Sequence, residues 1–363
     1  MSIMISIGIL AHNEAASIDR MLRSLLEQNL FLSEQDKFEI EIVIVPNGCT
    51  DDTAEIARAT LTELNKELNN PQVQWRVCEF TQPGKCNAWN IYVHQLSSPK
   101  AKYLFLMDAD IQLLDSQTLT SMVDVLERKS EAWVAVDRPI KDVALKPNKT
   151  LIESFSTLLS KLSGSNPREE DSAWICGQLY CARAKVLHHI WMPTTLPTDD
   201  SFLYTIVVTN GFKSSEKPNR VILASSASHT FEAYTKIARL LKHEKWLIFG
   251  QAVNQLLYAD LQTNLSQQLG IGSLIKERNE QDQFWLNKLV ENSVREKYWL
   301  IPQFILIRRF KSVLHKPPHK MVLMFPLALA AFLVDFVLCL QVNLDLRQQR
   351  GLGNWVASGS WGK

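Results

Sequence analysis

The chain has 363 residues, 46% of them apolar and 21% charged, which gives it a sizeable core, room for one large domain or two ordinary ones, and excludes a disordered chain. Its net charge of +1 supplies no electrostatic reason to expect a nucleic-acid partner. Six scattered cysteines without a C-x-x-C pair argue against a structural zinc site or a disulfide scaffold and fit a reducing compartment.

The chain opens on an apolar run, Ile3 to Leu10, too short for a signal peptide and suited to a buried strand. Ala11-His12-Asn13-Glu14 follows, then an amphipathic segment from Ser17 to Leu26 with helical spacing. A second strand, Glu39 to Val45, ends at Pro46-Asn47-Gly48-Cys49-Thr50-Asp51-Asp52. Thr50 or Asp51 is placed to cap the next helix, which runs to about Asn69. The third strand is Val73 to Cys78. After it come Pro83-Gly84-Lys85, a helix carrying Asn87 and Asn90, and a hydrophobic strand, Tyr103 to Met107, that delivers Asp108-Ala109-Asp110.

This strand–helix alternation predicts an α/β fold with a mostly parallel, Rossmann-like sheet and helices on both faces. Ligands of such sheets bind beyond the carboxyl ends of the strands. The loops beginning at Ala11, Pro46, Gln82 and Asp108 therefore share one rim. Asp108 and Asp110, two carboxylates at the end of a core strand, suit a divalent cation that also holds a diphosphate. Asn47-Gly48 suits a tight turn whose backbone N–H groups and side-chain amide face a ligand. Lys85 brings a cation near the diphosphate, and Gly84 allows close backbone approach. Taken singly, Asn47-Gly48 is a common turn and Lys85 a solvated lysine at a helix start; their shared rim favours the joint reading.

At these motifs the first 235 residues resemble a family 2 glycosyltransferase of the GT-A fold. The matching pieces are Ile7 to Glu14, Val45 to Ala57, Gly84 to Asn90 and Leu106 to Asp110, in the family's order. The resemblance implies transfer of a sugar from a nucleotide-diphosphate donor, with manganese or magnesium held at Asp110 and Asp108. It implies donor contacts from Ala11, Asn13, Glu14, Asn47, Gly48, Asp51, Lys85, Asn87 and Asp108. Asn47 stands where the family often has an acidic residue that contacts the base, which leaves the base open.

The stretch Thr198-Asp199-Asp200, with a helix after it and Gly211-Phe212-Lys213 beyond, resembles the family's acidic pair. It implies Asp200 as general base and Asp199 as its neighbour. The chemistry needs a carboxylate that accepts the acceptor hydroxyl's proton, and an adjacent carboxylate raises its proton affinity. The pair also reads as a helix cap, and both roles are compatible. One displacement inverts the anomeric centre, with the leaving diphosphate stabilised by the cation and Lys85. Gly177 and Gln178 match a Gly-rich segment that lines the acceptor side in the family, although a strand bulge explains Gly177 equally well. The polar stretch Pro167 to Asp171 reads as a loop over the site. His229 reads as a third metal ligand, a diphosphate contact or a plain surface histidine.

Lys245 and Trp246 stand near the Q-x-x-R-W signature of polymerising relatives, but the glutamine and the arginine are absent. The departure favours single transfer over processive synthesis, with Lys245 and Trp246 still candidates for contact with the donor or acceptor. Residues 236–363 read as a C-terminal helical region, interrupted by a loop or break between Gln267 and Asn279. It holds a candidate membrane-associated helix at 321–344, apolar and long enough to span a bilayer. Asp335 near its middle opposes insertion by roughly 2.5–3.5 kcal/mol, and a helix packed on the catalytic domain is the rival reading. The amphipathic, basic segment Ile301 to Phe310 suits an anionic surface. The expectation is an enzyme on the cytoplasmic side of a membrane, peripheral or single-pass, with a lipid-linked or envelope acceptor. A non-catalytic nucleotide-sugar or lipid binder on a degenerate scaffold, and a nucleotidyltransferase, are the alternatives. No G-x-G-x-x-G follows the first strand, which disfavours a dinucleotide oxidoreductase.

Overall fold

The structure is a computed structural model that describes residues 2–32, 37–145, 173–233, 236–265, 270–314 and 316–351. The Pro167–Asp171 stretch and nearly all of the Gly351–Lys363 tail lie outside the described residues.

Eight strands form one mixed sheet in the order β3-β2-β1-β4-β7-β6-β8-β5. The first four are β1 (Ile3–Ala11), β2 (Phe38–Pro46), β3 (Val73–Val77) and β4 (Tyr103–Asp108), all mutually parallel. The other four are β5 (Gln112–Leu113), β6 (Val134–Lys141), β7 (Leu179–Arg183) and β8 (Val221–Phe231). β7 joins antiparallel to β4, and sequence alternation alone does not show that reversal. Helices α1 (Ile18–Leu26), α2 (Thr53–Leu68) and α3 (Lys85–Ile91) are the crossovers of the parallel half, and α4 (Thr118–Arg128) follows β5. The two central parallel strands, β1 and β4, are nearly continuous buried apolar runs, as strands covered on both faces must be, whereas β2 begins with alternating Glu39 and Glu41 and the edge strand β3 alternates throughout. In register, Ala11 pairs with Pro46 and Leu10 with Asp108, so these strand ends meet at one rim.

Helix α5 (Asp199–Thr209) precedes β8. The C-terminal half is helical: α6 (Ile237–Asn264), α7 (Ile271–Gln281), α8 (Trp285–Glu296), α9 (Gln303–Leu314) and α10 (Pro318–Arg347). The break expected up to Asn279 is thus confined to the residues before Ile271, because Gly270 stands at the N-cap of α7. One hydrophobic cluster joins Trp89, Tyr180 and Phe202 of the sheet half to Ile248, Val253 and Leu257 of α6 and Val342 and Leu346 of α10. The two halves share a core.

Candidate active site

Two carboxylates meet at a single ammonium group, and two more line the same cavity. Lys85 Nζ lies 2.7 Å from Asp108 Oδ1 and 3.7 Å from Asp199 Oδ2, and donates to the Gly177 carbonyl at 3.1 Å. Asp110 follows Asp108 by two residues, and Asp200 adjoins Asp199; all four line one cavity of about 510 Å3. These residues come from three features of the chain. Asp108 ends β4, Lys85 opens α3, and Asp199 and Asp200 form the first turn of α5.

One lysine does not balance four carboxylates. Burial pushes Asp108 up to about 7, Lys85 pulls it back only in part, and Asp110 adds to the rise. Burial, then the neighbouring Asp199, likewise raises Asp200 to about 7. Asp110 is raised by burial and has no ion-pair partner among the described residues. Burial works against the charge of Lys85, but Asp108 and Asp199 more than offset it and hold its pKa well above the ordinary value. Excess buried negative charge of this kind is the donor set a hard cation requires.

The acidic pair is held from two sides. Gly177 adopts φ +76°, and a Cβ there would stand 3.3 Å from Asp200 Cβ and 3.6 Å from Asp199 Oδ2. Glycine therefore satisfies both the left-handed backbone and the close approach. From α6, Gly250 lies so near Thr198 that a Cβ would come within 2.2 Å of its methyl group. Asn254 Nδ2 donates to Ser201 Oγ at 2.7 Å and Thr198 Oγ1 at 3.2 Å, and the Tyr258 hydroxyl donates to the Ser201 carbonyl at 3.1 Å. These residues recur every fourth position, the spacing of one helix face.

His229 lies within β8 and is fully buried. Its Nδ1 is 2.6 Å from Asp137 Oδ2, and its Nε2 is 3.2 Å from Gln178 Oε1. A carboxylate on one imidazole nitrogen fixes the ring and its tautomer, as behind many metal-bound histidines. The surface-histidine reading is set aside by this burial. Among the described residues, no three His, Cys, Asp or Glu side chains are already gathered as a metal cage.

The other residues singled out in the sequence divide by position. Asn47 is buried. Its amide donates to the Ala11 carbonyl at 2.7 Å and accepts from the Gly84 N–H at 3.1 Å, so it ties rim loops together where a ligand-facing amide was expected. Asn13 Oδ1 accepts from Thr50 N at 2.7 Å, and Asp51 Oδ2 accepts from Ala15 N at 3.1 Å. Glu14 N donates to Thr53 Oγ1 at 2.8 Å, and Gly48 turns at φ +63° against Pro83. Ala11 is fully buried. These six brace the loops after β1 and β2 and do not line the cavity. Asn87 is half-buried on the first turn of α3.

Trp246 lines the cavity, and Lys245 does not. Lys245 Nζ is 2.6 Å from Asp345 Oδ2 of α10. Adjacent helical residues point about 100° apart, so one faces the cavity and the other the C-terminal helix. The residues that do share the face of Trp246 are Arg239, His243, Leu247 and Gln251. These were missed in the sequence, although steps of three and four from His243 reach Arg239, Trp246, Leu247 and then Gln251. Trp174, also overlooked as a site residue, lines the cavity and stacks on Tyr204 with ring centroids 3.8 Å apart. A second cavity of about 320 Å3 adjoins the first and shares Lys85, Leu196, Pro197 and Trp246 with it.

Residues 6–189 match the family model described as glycosyl transferase family 2. The chain belongs to that family. It is a glycosyltransferase, built on a mixed sheet with flanking helices. Among curated proteins, none matches it significantly. Solved structures of similar fold include the mannosyltransferase PcManGT from Pyrobaculum calidifontis in complex with GDP-Man and Mn2+. It is 15% identical with a TM-score of 0.48, over 95% of this chain and 85% of that one. Residues 1–349 of TarS from S. aureus are 14% identical with a TM-score of 0.44, over 96% and 92% of the two chains. Glucosyl-3-phosphoglycerate synthase from Mycobacterium tuberculosis, in complex with Mg2+ and uridine diphosphate, is 15% identical with a TM-score of 0.43, over 69% and 77%.

Proposed function

We propose that this glycosyltransferase moves a sugar from a nucleotide-diphosphate donor to an acceptor hydroxyl in one inverting, metal-dependent displacement. The observation that carries the reading is the gathering of Asp108, Asp110, Asp199 and Asp200 around Lys85 in one cavity. Asp200 is the general base. It takes the acceptor hydroxyl's proton as that oxygen bonds to the anomeric carbon and the bond to the diphosphate breaks. Its raised proton affinity, near 7, suits a group that must gain a proton in the transition state and lose it afterwards. Asp199 supplies the neighbouring charge and holds Lys85.

Asp108 and Asp110 would hold a divalent cation, whose charge would stabilise the departing diphosphate; His229 would join them only by releasing Gln178 from its Nε2. Lys85, paired with Asp108, would add its positive charge beside the same diphosphate. Gly177 and Gln178 border the acceptor side, with Trp246 as an apolar wall for a sugar ring or lipid. The rim loops from Ala11, Asn13, Glu14, Asn47, Gly48 and Asp51 shape the donor side mainly through their backbone. The missing Q-x-x-R-W residues and the engagement of Lys245 by Asp345 favour a single transfer.

The enzyme works at the cytoplasmic face of a membrane on a lipid-linked or envelope acceptor. Six unpaired cysteines fit the reducing side, and the exposed apolar face of α10 fits the membrane. The test is calorimetric binding of UDP, GDP, CDP and dTDP, with and without manganese, to wild type and Asp110→Ala. One nucleotide that binds with metal and is lost in the variant supports the donor site. Failure of all four to bind the folded protein would overturn it and favour a non-catalytic binder.

A further inference from the structure

The hairpin of α9 and α10 presents a surface that the cavity does not use. Along α10, Ala328, Asp335, Cys339, Val342 and Leu346 are buried, a seven-residue stripe turned toward the protein. Away from that stripe, Val322, Leu323, Phe325, Leu333, Val337 and Leu344 are each at least half exposed. Phe304, Ile307 and Leu314 of α9 add to this apolar surface. So large an exposed apolar area needs a covering.

The same hairpin holds a charge cluster that crossing would break. Asp335, 2% exposed, accepts from Arg308 and Arg309 at 2.9 Å each, and Arg308 also reaches Glu244 of α6 at 3.0 Å. A span by α10 would strip Asp335 of these partners or carry two arginines and a glutamate into hydrocarbon. Helix α9 cannot cross beside it: its 12 residues reach only ~18 Å, against ~30 Å of hydrocarbon. The ends of the apolar stretch are basic, with Lys311, Lys316 and Lys320 at one end and Arg347 and Arg350 at the other. Cations at both ends suit contact with anionic headgroups, and the charge cluster at Asp335 is what sets a surface position apart from a span.

We propose that α9–α10 is a monotopic membrane anchor, which lies in the surface of an anionic bilayer and does not cross it. The inference deepens the reading that the enzyme works at a membrane, and its test measures binding and topology independently of turnover. The anchor also bears on the cavity. Glu244 and Lys245 bind the hairpin through Arg308 and Asp345, and they adjoin the cavity residues His243 and Trp246. Docking therefore fixes how far the cavity wall stands from the bilayer, which suits an acceptor drawn from the lipid phase.

The experiment floats the full-length protein with preformed phosphatidylcholine vesicles, with and without phosphatidylglycerol, and treats the bound protein with external trypsin. The expected result is several-fold stronger flotation with the anionic vesicles and cleavage at both Lys320 and Arg350 from outside. Leu323→Glu/Val337→Glu, checked for native melting, should lose flotation. Absence of flotation, equal flotation with uncharged vesicles, or protection of one end until detergent is added would each overturn the proposal; the wild-type arms stand even if the variant misfolds. Nucleotide binding is read separately, so failure of the anchor and failure of the donor site are distinguishable.

Discussion

Two charge clusters among the described residues differ in balance. At the hairpin, Arg308 and Arg309 meet Asp335 and Glu244, two positive charges against two negative ones. At the sheet rim, Asp108, Asp110, Asp199 and Asp200 share one cavity in which Lys85 pairs with Asp108 and Asp199 and Arg239 also lines the wall. The balanced group keeps Asp335 ionised: burial raises its pKa, but the two guanidinium groups outweigh that and hold it below the ordinary value. At the rim, burial first and neighbouring carboxylates second push Asp108 and Asp200 up to about 7. Balance stabilises a fold, whereas imbalance stores an affinity for protons and cations that chemistry can use.

The sharpest break in the comparison is Asp200→Asn. As the general base is lost, kcat should fall by about 10^2- to 10^4-fold, measured by sugar transfer once the donor is known. In wild type the rate should drop as pH falls through about 7, because the base must be ionised. The sign for stability is opposite. A folded pKa raised from 3.8 to about 7 means that the folded state holds the proton more tightly than the unfolded one. The contribution of Asp200 to stability is therefore full below about pH 4 and is lost as pH rises through 7. Relative to wild type, Asp200→Asn should gain stability between pH 4 and 8, read by thermal melts across that range.

Next in size is Asp110→Asn. If the excess charge at the rim serves a divalent cation, activity should fall by about 10^2-fold, the effect of losing a few kcal/mol of charge stabilisation. Calorimetry should show the manganese dependence of nucleotide binding abolished. Unchanged manganese dependence would show that the excess charge serves some other purpose.

How much of this contrast the sequence revealed depends on the reach of each interaction. The rim was legible because each strand end carries its own signal: Asp108 and Asp110 after an apolar run, Lys85 after Pro83-Gly84, Asn47-Gly48 after β2. The parallel half of the sheet was legible for the same reason. The antiparallel entry of β7 beside β4 was not, since pairing partners far apart in sequence leave no local mark. The partners of Asp335 were equally hidden: Arg308 and Arg309 lie 27 and 26 residues away, so a carboxylate that looked costly in an apolar helix is in fact paired. Asn47 shows the reverse limit. Its place in the motif was evident, yet whether its amide faces a ligand or the Ala11 and Gly84 backbone is decided by a loop nearly forty residues on.

The balanced cluster yields a stability test. Asp335→Ala leaves Arg308 and Arg309 with Glu244 as their one remaining carboxylate in the cluster and should destabilise the protein by about 3 kcal/mol, seen in urea unfolding, with nucleotide binding by the folded fraction unchanged. A loss of nucleotide affinity would instead show the hairpin and the rim to be coupled. A smaller effect is expected at Gly177→Ala. The φ of +76° imposes strain of about 1–3 kcal/mol on a non-glycine residue, and the added methyl group presses on Asp200. Transfer should slow more than the donor KM changes, because the displaced group is the base.

The mildest test is Lys245→Ala, which separates two readings of adjacent residues on α6. The position of Lys245 in the sequence made it a candidate for the donor phosphates, and a lost phosphate contact would raise the donor KM. The structure gives its ammonium to Asp345 at 2.6 Å, in a pair whose side chains are 32% and 26% exposed. A partly solvated pair of this kind contributes about 0–1 kcal/mol. The expected result is a small fall in the melting temperature with the donor KM unaltered, while Trp246→Ala, which removes part of the cavity wall, changes the acceptor KM. A raised donor KM for Lys245→Ala would mean that the lysine leaves Asp345 when donor binds, and that the boundary between the balanced and the unbalanced charges shifts during the reaction.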